Sequence, residues 1–226
     1  MATQITWLGH SCFLIESGGK RILVDPFLDD SPTSPLKSKD VSADLILITH
    51  GHFDHIADAA KIATRCNVAC VSNFEICEWL TKQGVKQTEP MNTGGTISLP
   101  IGKVKSTIAF HSSTLPDGTP GGNPGGFLLA LADAKIYIAG DTALFSDMRL
   151  YAVGLDLAIV PIGDRFTMGP EDSIEAIRLL SPKRVAPCHY NTWPPIAQDA
   201  NAWAANVKQK TDAEPLMLTA GEAFGL

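Results

Sequence analysis

The sequence has no CxxC pair, and its five cysteines, Cys12, Cys66, Cys70, Cys77 and Cys188, form an odd set without the spacing of a disulfide framework or a thiolate zinc knuckle. Reduced thiols in a reducing compartment are the expectation. No apolar run approaches the ~20 residues a membrane span requires, and no basic segment precedes an apolar stretch at the start. The expected location is therefore the cytoplasm, with no membrane partner. Basic residues are in deficit, 18 Lys and Arg against 24 Asp and Glu, for a formal net charge of -6. Nucleic-acid binding draws most of its affinity from cations that neutralise phosphates, so this balance weighs against a polyanionic partner. A small-molecule substrate is expected instead, with self-association left open. Low-complexity tracts and blocks of one charge are also missing, and 45% hydrophobic with 19% charged residues describes a chain that folds rather than a disordered one. At 226 residues the sequence reads as a single domain, 1–226, with a substantial core.

What is present is a succession of short β-like runs. Residues 4–8, 13–15 and 21–24, separated by Gly9-His10 and Gly18-Gly19, read as an antiparallel meander. A strand at 45–48, a helix at 56–64, a strand at 68–71 and a helix ending at Gln83 follow, the last with Ser72 and Glu75 spaced as a capping box. A second series of strands is predicted at 96–99, 103–110, 127–131 and 135–138. Strand and helix then alternate: 157–160, a helix from Pro170 to Leu180, 184–186, and a final helix over 200–210. Two similar halves, each with strands first and helices after, predict an α/β (α+β) fold in which two mixed sheets pack face to face under helices, an αββα sandwich. The Pro- and Gly-rich stretch 112–126 is longer than ordinary connections and reads as a functional loop.

The densest chemical signal is Thr49-His50-Gly51-His52-Phe53-Asp54-His55, directly after an apolar strand and before a helix. His50 and His52, two apart in extended chain, project to one side. A turn at Phe53 can return Asp54 and His55 beside them, so one loop can serve two adjacent metal sites. Imidazole and carboxylate donors suit zinc, and also manganese, iron or nickel. A catalytic ion generally takes about three protein ligands and keeps one position open. His111, Asp141 and His189 each follow a predicted strand, and ligands at strand exits can converge on one sheet edge. Five of the six histidines fall into this pattern. Taken singly, His111 and His189 could be polar residues satisfied by hydrogen bonds, and Asp141 a turn residue.

The His-x-His-x-Asp-His run, with His111, Gly140-Asp141 and His189, resembles the metallo-β-lactamase superfamily across essentially the whole chain. Trp7-Leu8-Gly9-His10-Ser11, Asp25-Pro26, the segment Pro161 to Met168 and His189-Tyr190-Asn191-Thr192 resemble its metal-dependent hydrolases akin to ascorbate-6-phosphate lactonase. The resemblance implies two divalent ions, zinc first among the candidates, with His50, His52 and His111 on one, Asp54, His55 and His189 on the other, and Asp141 shared. It implies hydrolysis of a small ester, lactone or phosphoester, with Asp54 as the group that orients water and accepts its proton. It further implies that Asp25 orients a ligand histidine, the alternative being a turn residue, and that His10 donates to substrate or leaving group, the alternative being a structural histidine. Arg165, Tyr190, Asn191 and Thr192 become candidate substrate contacts, Arg165 for an anionic group. Trp193, before two prolines, reads as loop packing, and Cys188 as a buried filler. True zinc β-lactamases usually carry cysteine where Asp141 stands and are exported, so antibiotic hydrolysis is not expected. The other readings are a phosphodiesterase or nuclease, for which paired metals also suit, and a non-catalytic metal-binding sensor of the same fold.

Overall fold

The computed structural model describes residues 2–226; Met1 lies outside the described residues. Strands β1 (Gln4–Trp7), β2 (Phe13–Ser17) and β3 (Lys20–Val24) form the expected antiparallel meander, and β4 (Leu45–Leu47), β5 (Ala69–Ser72) and β6 (Thr88–Pro90) extend it in parallel. In the second half, β7 (Thr96–Leu99), β8 (Gly102–Ile108), β9 (Gly125–Ala130) and β10 (Lys135–Ile138) pair antiparallel. Three parallel strands continue that sheet, β11 (Leu157–Pro161), β12 (Arg184–Cys188) and β13 (Glu214–Pro215), while β14 (Ala223–Gly225) returns to β1. The result is two seven-stranded mixed sheets, ordered β14-β1-β2-β3-β4-β5-β6 and β13-β12-β11-β10-β9-β8-β7. Helices α1 (Phe53–Ile56), α2 (Ala59–Cys66), α3 (Phe74–Lys82), α4 (Pro170–Leu180) and α5 (Ala200–Lys210) complete the fold.

Central strands are apolar on both faces because both are covered, and their period of two sends alternate residues to different layers. Ile22, Val24, Ile136 and Ile138 enter the core between the sheets. Leu23 packs outward with Ile62, Ile76 and Leu80 of α2 and α3, and Tyr137 outward with Ile174, Ile177, Trp203 and Val207 of α4 and α5. This is the αββα arrangement the two halves predicted. No helix among the described residues is long and apolar enough to cross a membrane.

Local departures have identifiable causes. The helix expected over 56–64 is broken after α1, where Asp58 is buried and its Oδ2 accepts from the amides of Leu28 and Asp29 at 2.8 and 3.0 Å. The break ties the start of α2 to the loop after β3. The cap of α3 is Asn73 and not Ser72: Asn73 Oδ1 accepts from Ile76 N at 2.9 Å, while Ser72 Oγ donates to the Ile48 carbonyl at 2.8 Å. The long loop before β9 is pinned, its Ser113 Oγ accepting from Gly51 N at 3.0 Å and its Gly121 carbonyl from Asn73 Nδ2 at 2.7 Å.

Trp203 of α5 is 1% exposed and its Nε1 donates to Ser173 Oγ of α4 at 2.8 Å. Trp203→Ala is therefore expected to cost about 3–5 kcal/mol, read as a lowered urea midpoint. A loss below about 1 kcal/mol would mean that this layer tolerates the cavity by collapse.

Candidate metal centre

The site is built where strand ends meet. His50 and His52 leave β4, and Asp54 and His55 lie in the single turn of α1, for which His52 is the N-cap. His111 follows β8, Asp141 follows β10, His189 follows β12, and His10 sits in the turn between β1 and β2. Two glycines permit the approach. Gly140, at φ +64°, lies where a Cβ would stand 2.5 Å from the Gly125 carbonyl, and a Cβ on Gly163 would stand 2.1 Å from the His189 carbonyl. His10, Asp25 and His189 hold left-handed backbone at φ 50°, 44° and 53°. Such conformations cost about 1–3 kcal/mol each and persist where surroundings over-determine them. Here the ties include His189 N donating to the His10 carbonyl at 3.1 Å.

The donor atoms converge. Asp141 Oδ2 lies 2.9 Å from His189 Nε2, 3.4 Å from His55 Nε2, 3.6 Å from His111 Nε2 and 4.0 Å from His50 Nε2. His52 turns Nδ1 inward, 3.0 Å from His50 Nε2 and 3.3 Å from His111 Nε2. Asp54 Oδ2 stands 3.9 Å from His55 Nε2 and 3.7 Å from His189 Nε2. Three overlapping donor groups result: His50, His52 and His111; His50, His55 and Asp141; and His10, Asp54, His55 and His189, the atoms of each lying within 4.8 Å of one another. The structure thus brings together all seven residues expected as ligands, and adds His10.

Asp25 is buried and accepts from Thr49 N at 2.8 Å, Thr49 Oγ1 at 2.7 Å and His55 Nδ1 at 2.9 Å. With its hydroxyl proton given to Asp25, Thr49 Oγ1 accepts from His50 Nδ1 at 3.1 Å. Both rings then carry a proton on Nδ1 and aim Nε2 at the centre. Burial, then His55, keep His50 far below the ordinary imidazole value, so it is neutral. Burial would raise Asp141, but His189 and His55 hold it well below the carboxylate range. Burial would lower His55, yet Asp141, Asp54 and Asp25 raise it well above the ordinary value: three carboxylates favour positive charge at this point. His55 Nε2 and Asp141 Oδ1 are buried without hydrogen-bond partners. Buried ring nitrogens and carboxylate oxygens that converge without a full set of hydrogen-bond partners are a donor set that divalent cations fit.

Above the centre opens a cavity of about 440 Å3 lined by His52, Asp54, His111, Asp141 and His189 on one side and by Phe53, Phe166, Trp193, Pro195 and Ile196 on the other, with Ser112 between. Several sequence-based expectations lie elsewhere. His10 is fully buried, its Nε2 donating to Asp54 Oδ2 at 3.0 Å and its Nδ1 2.7 Å from Thr192 Oγ1, so it stands behind Asp54 and not on the cavity. Burial holds it down at about 4, which leaves the ring neutral. Thr192 is consumed by that contact; Tyr190 is buried and stacked on Trp7 at 5.5 Å; and Asn191 Oδ1 accepts from Gln198 N at 2.8 Å. Arg165 is exposed, its guanidinium 5.6 Å from the centre of the Phe166 ring. The left-handed residues His189 and Asn191, at φ 53° and 57°, turn the chain so that its next neighbours face inward. Sequence reasoning missed the aromatic wall. Trp193, read as loop packing, lines the cavity with Phe27 and Phe53 each 5.9 Å away. Its signal was the placing of large aromatics beside expected ligands, Phe53 between His52 and Asp54.

A family profile described as "Beta-lactamase superfamily domain" matches residues 4–189. A UPF0173 metal-dependent hydrolase from Thermus thermophilus is 49% identical over 224 residues, covering 99% of both chains, and one from Bacillus cereus 44% identical over 230 residues, covering 99% of this chain and 100% of the other. Among solved structures, Igni18, described as a novel metallo hydrolase from Ignicoccus hospitalis, superposes with a TM-score of 0.91 at 34% identity, covering 100% of this chain and 99% of that one. An isothiocyanate hydrolase from Delia radicum gut bacteria, at 19% identity and TM-score 0.78 over 99% of this chain and 98% of the other, shares the fold. With the donor cluster at its strand ends, the chain belongs to the metallo-β-lactamase superfamily and, within it, to the UPF0173 metal-dependent hydrolase family.

Proposed function

We propose that residues 1–226 act as one domain, a cytoplasmic dinuclear hydrolase that cleaves a small ester, lactone or phosphoester. The observation that carries this reading is the Asp141 carboxylate, whose Oδ2 stands within 4.0 Å of the ring nitrogens of His50, His55, His111 and His189. His50, His52 and His111 would hold one ion, Asp54, His55 and His189 the other, and Asp141 both. Imidazole and carboxylate donors suit zinc and also manganese, iron or nickel, and the family resemblance puts zinc first. Divalent ions bound there would supply Lewis acidity, easing the ionisation of water and polarising the scissile group.

The protein's own part is orientation and proton transfer. Asp54 lines the cavity; burial would raise its pKa, but His55 and the hydrogen bond from His10 hold it below the carboxylate range, so it remains ionised. One oxygen receives His10 Nε2 at 3.0 Å, which fixes the plane of the carboxylate. In that state Asp54 can align an attacking water and accept its proton. His10 acts on the reaction through Asp54, as a positioning residue.

Elemental analysis of protein purified without chelator should find about two divalent ions per chain, and stripping them should lower the melting temperature, because the buried donors then lack their partners. A metal-free preparation of unchanged stability would sink the reading. Asp54→Ala, assayed at saturating metal, should reduce kcat by about 100-fold or more with far less effect on KM; intact turnover at full metal content would remove Asp54 from its role. Asp25→Ala should weaken metal affinity by about 10- to 100-fold, followed by titration with a competing chelator, with cooperative unfolding retained.

A further inference from the structure

The hydrolase reading leaves open what lies against the metal edge, and the opposite wall of the cavity has a definite chemistry. Phe53 and Phe166 are each 54% exposed and lie together at one cavity, where grouped exposed apolar side chains mark a binding surface. Both line the cavity, with Trp193, Pro195 and Ile196 beside them. The wall is stiff. Phe53 opens α1, Trp193 is wedged against Phe27, Phe53 and His10 at 5.9, 5.9 and 5.1 Å, and Pro194–Ile196 forms a single turn of 3-10 helix behind it.

No Lys or Arg is among the described residues lining this cavity, while the Asp54 and Asp141 carboxylates are. Sites for phosphate groups ordinarily bring Arg or Lys donors to the anion. Arg165, the nearest candidate in sequence, is exposed and stacked on Phe166 outside the lining. A phosphomonoester's charge would be met only by the divalent ions, which Asp54 and Asp141 already partly neutralise, with no cationic side chain in the lining to add to them.

We propose that this site takes an uncharged carbonyl substrate, a carboxylic ester or lactone, which presents an aryl or branched alkyl group to Phe53, Phe166 and Trp193. The proposal rests on the hydrolase reading and narrows it. The reaction adds the oxygen of water to the carbonyl carbon and breaks the acyl C–O bond. One water proton goes to the departing alkoxide and the other leaves the new carboxylic acid, so no oxidant or further reactant is needed.

Two measurements on the metal-replete full chain test it. In the first, kcat/KM is compared for 4-nitrophenyl acetate, butyrate and hexanoate and for 4-nitrophenyl phosphate. Values should rise up to about fourfold per added methylene, as buried apolar surface allows, and the phosphate should be the poorest substrate. Trp193→Ala and Phe166→Ala should each flatten the rise. In the second, calorimetry compares benzohydroxamate, acetohydroxamate and inorganic phosphate, which reads the wall without turnover. Benzohydroxamate should bind at least tenfold tighter than acetohydroxamate, with Trp193→Ala reducing the difference and phosphate weakest. Equal hydroxamate affinities on metal-loaded protein, or phosphoester turnover exceeding that of the hexanoate and lost in Arg165→Ala, would overturn the proposal alone. A chain that retains no metal and binds neither hydroxamate would overturn it together with the hydrolase reading.

Discussion

Asp25 is where the orientation of the centre is decided. Carboxylate oxygens accept hydrogen bonds, and the groups that meet Asp25 donate to it. Thr49 donates twice and His55 once through Nδ1. His50 is drawn in through Thr49, which has no other proton to give. Two imidazoles are thereby held with Nδ1 turned out to a partner and Nε2 turned to the place where a cation fits. The same contacts join the end of β3 to the end of β4 and the start of α1. One side chain thus sets both the backbone path and the ring orientation, which is why a left-handed φ of 44° is tolerated there.

The electrostatics then leave few solutions. Asp25, Asp54 and Asp141 are all buried and lie around His55. Carboxylates in such surroundings cost several kcal/mol unless paired, and the described residues bring no Lys or Arg to them. Hydrogen bonding does not close the network either, since His55 Nε2 and Asp141 Oδ1 remain without partners. Donors come from both sheets: His50, His52, Asp54 and His55 from the edge of the first, His111, Asp141 and His189 from the second. Cations that answer this charge would also join the two halves of the sandwich, so the packing of the sheets and the chemistry of their shared edge depend on each other.

The local parts of this arrangement were legible. The His50 to His55 run could be read because four donors crowd one short stretch, and α4 because Pro170 opens it. His111, Asp141 and His189 could be placed because each follows an apolar run that became a strand. What depends on distant partners was not legible. The break between α1 and α2 exists for the Asp58 contacts to residues 28 and 29. Strands β6, β13 and β14 have only 3, 2 and 3 residues, too short for any period, and are held by neighbours. Tyr190, Asn191 and Thr192 follow a ligand in sequence, yet nearness along the chain did not become nearness to the cavity, because alternate left-handed residues redirect each side chain.

That redirection gives the loop after β12 several tasks in consecutive positions. His189 reaches Asp141, Tyr190 anchors the loop on Trp7, Asn191 holds the following turn through Gln198, Thr192 meets His10, and Trp193 forms the cavity wall. Because His10 bonds Asp54 on its other nitrogen, the residue next to the aromatic wall is two hydrogen bonds from the carboxylate assigned to proton transfer. A shift of this loop large enough to reshape the wall would also move Thr192, and with it the ring that fixes the plane of Asp54. In the proposed hydrolase, substrate fit and the alignment of Asp54 would therefore be coupled through one short covalent segment, whereas Phe166, carried by a separate turn, would change the wall without touching Asp54.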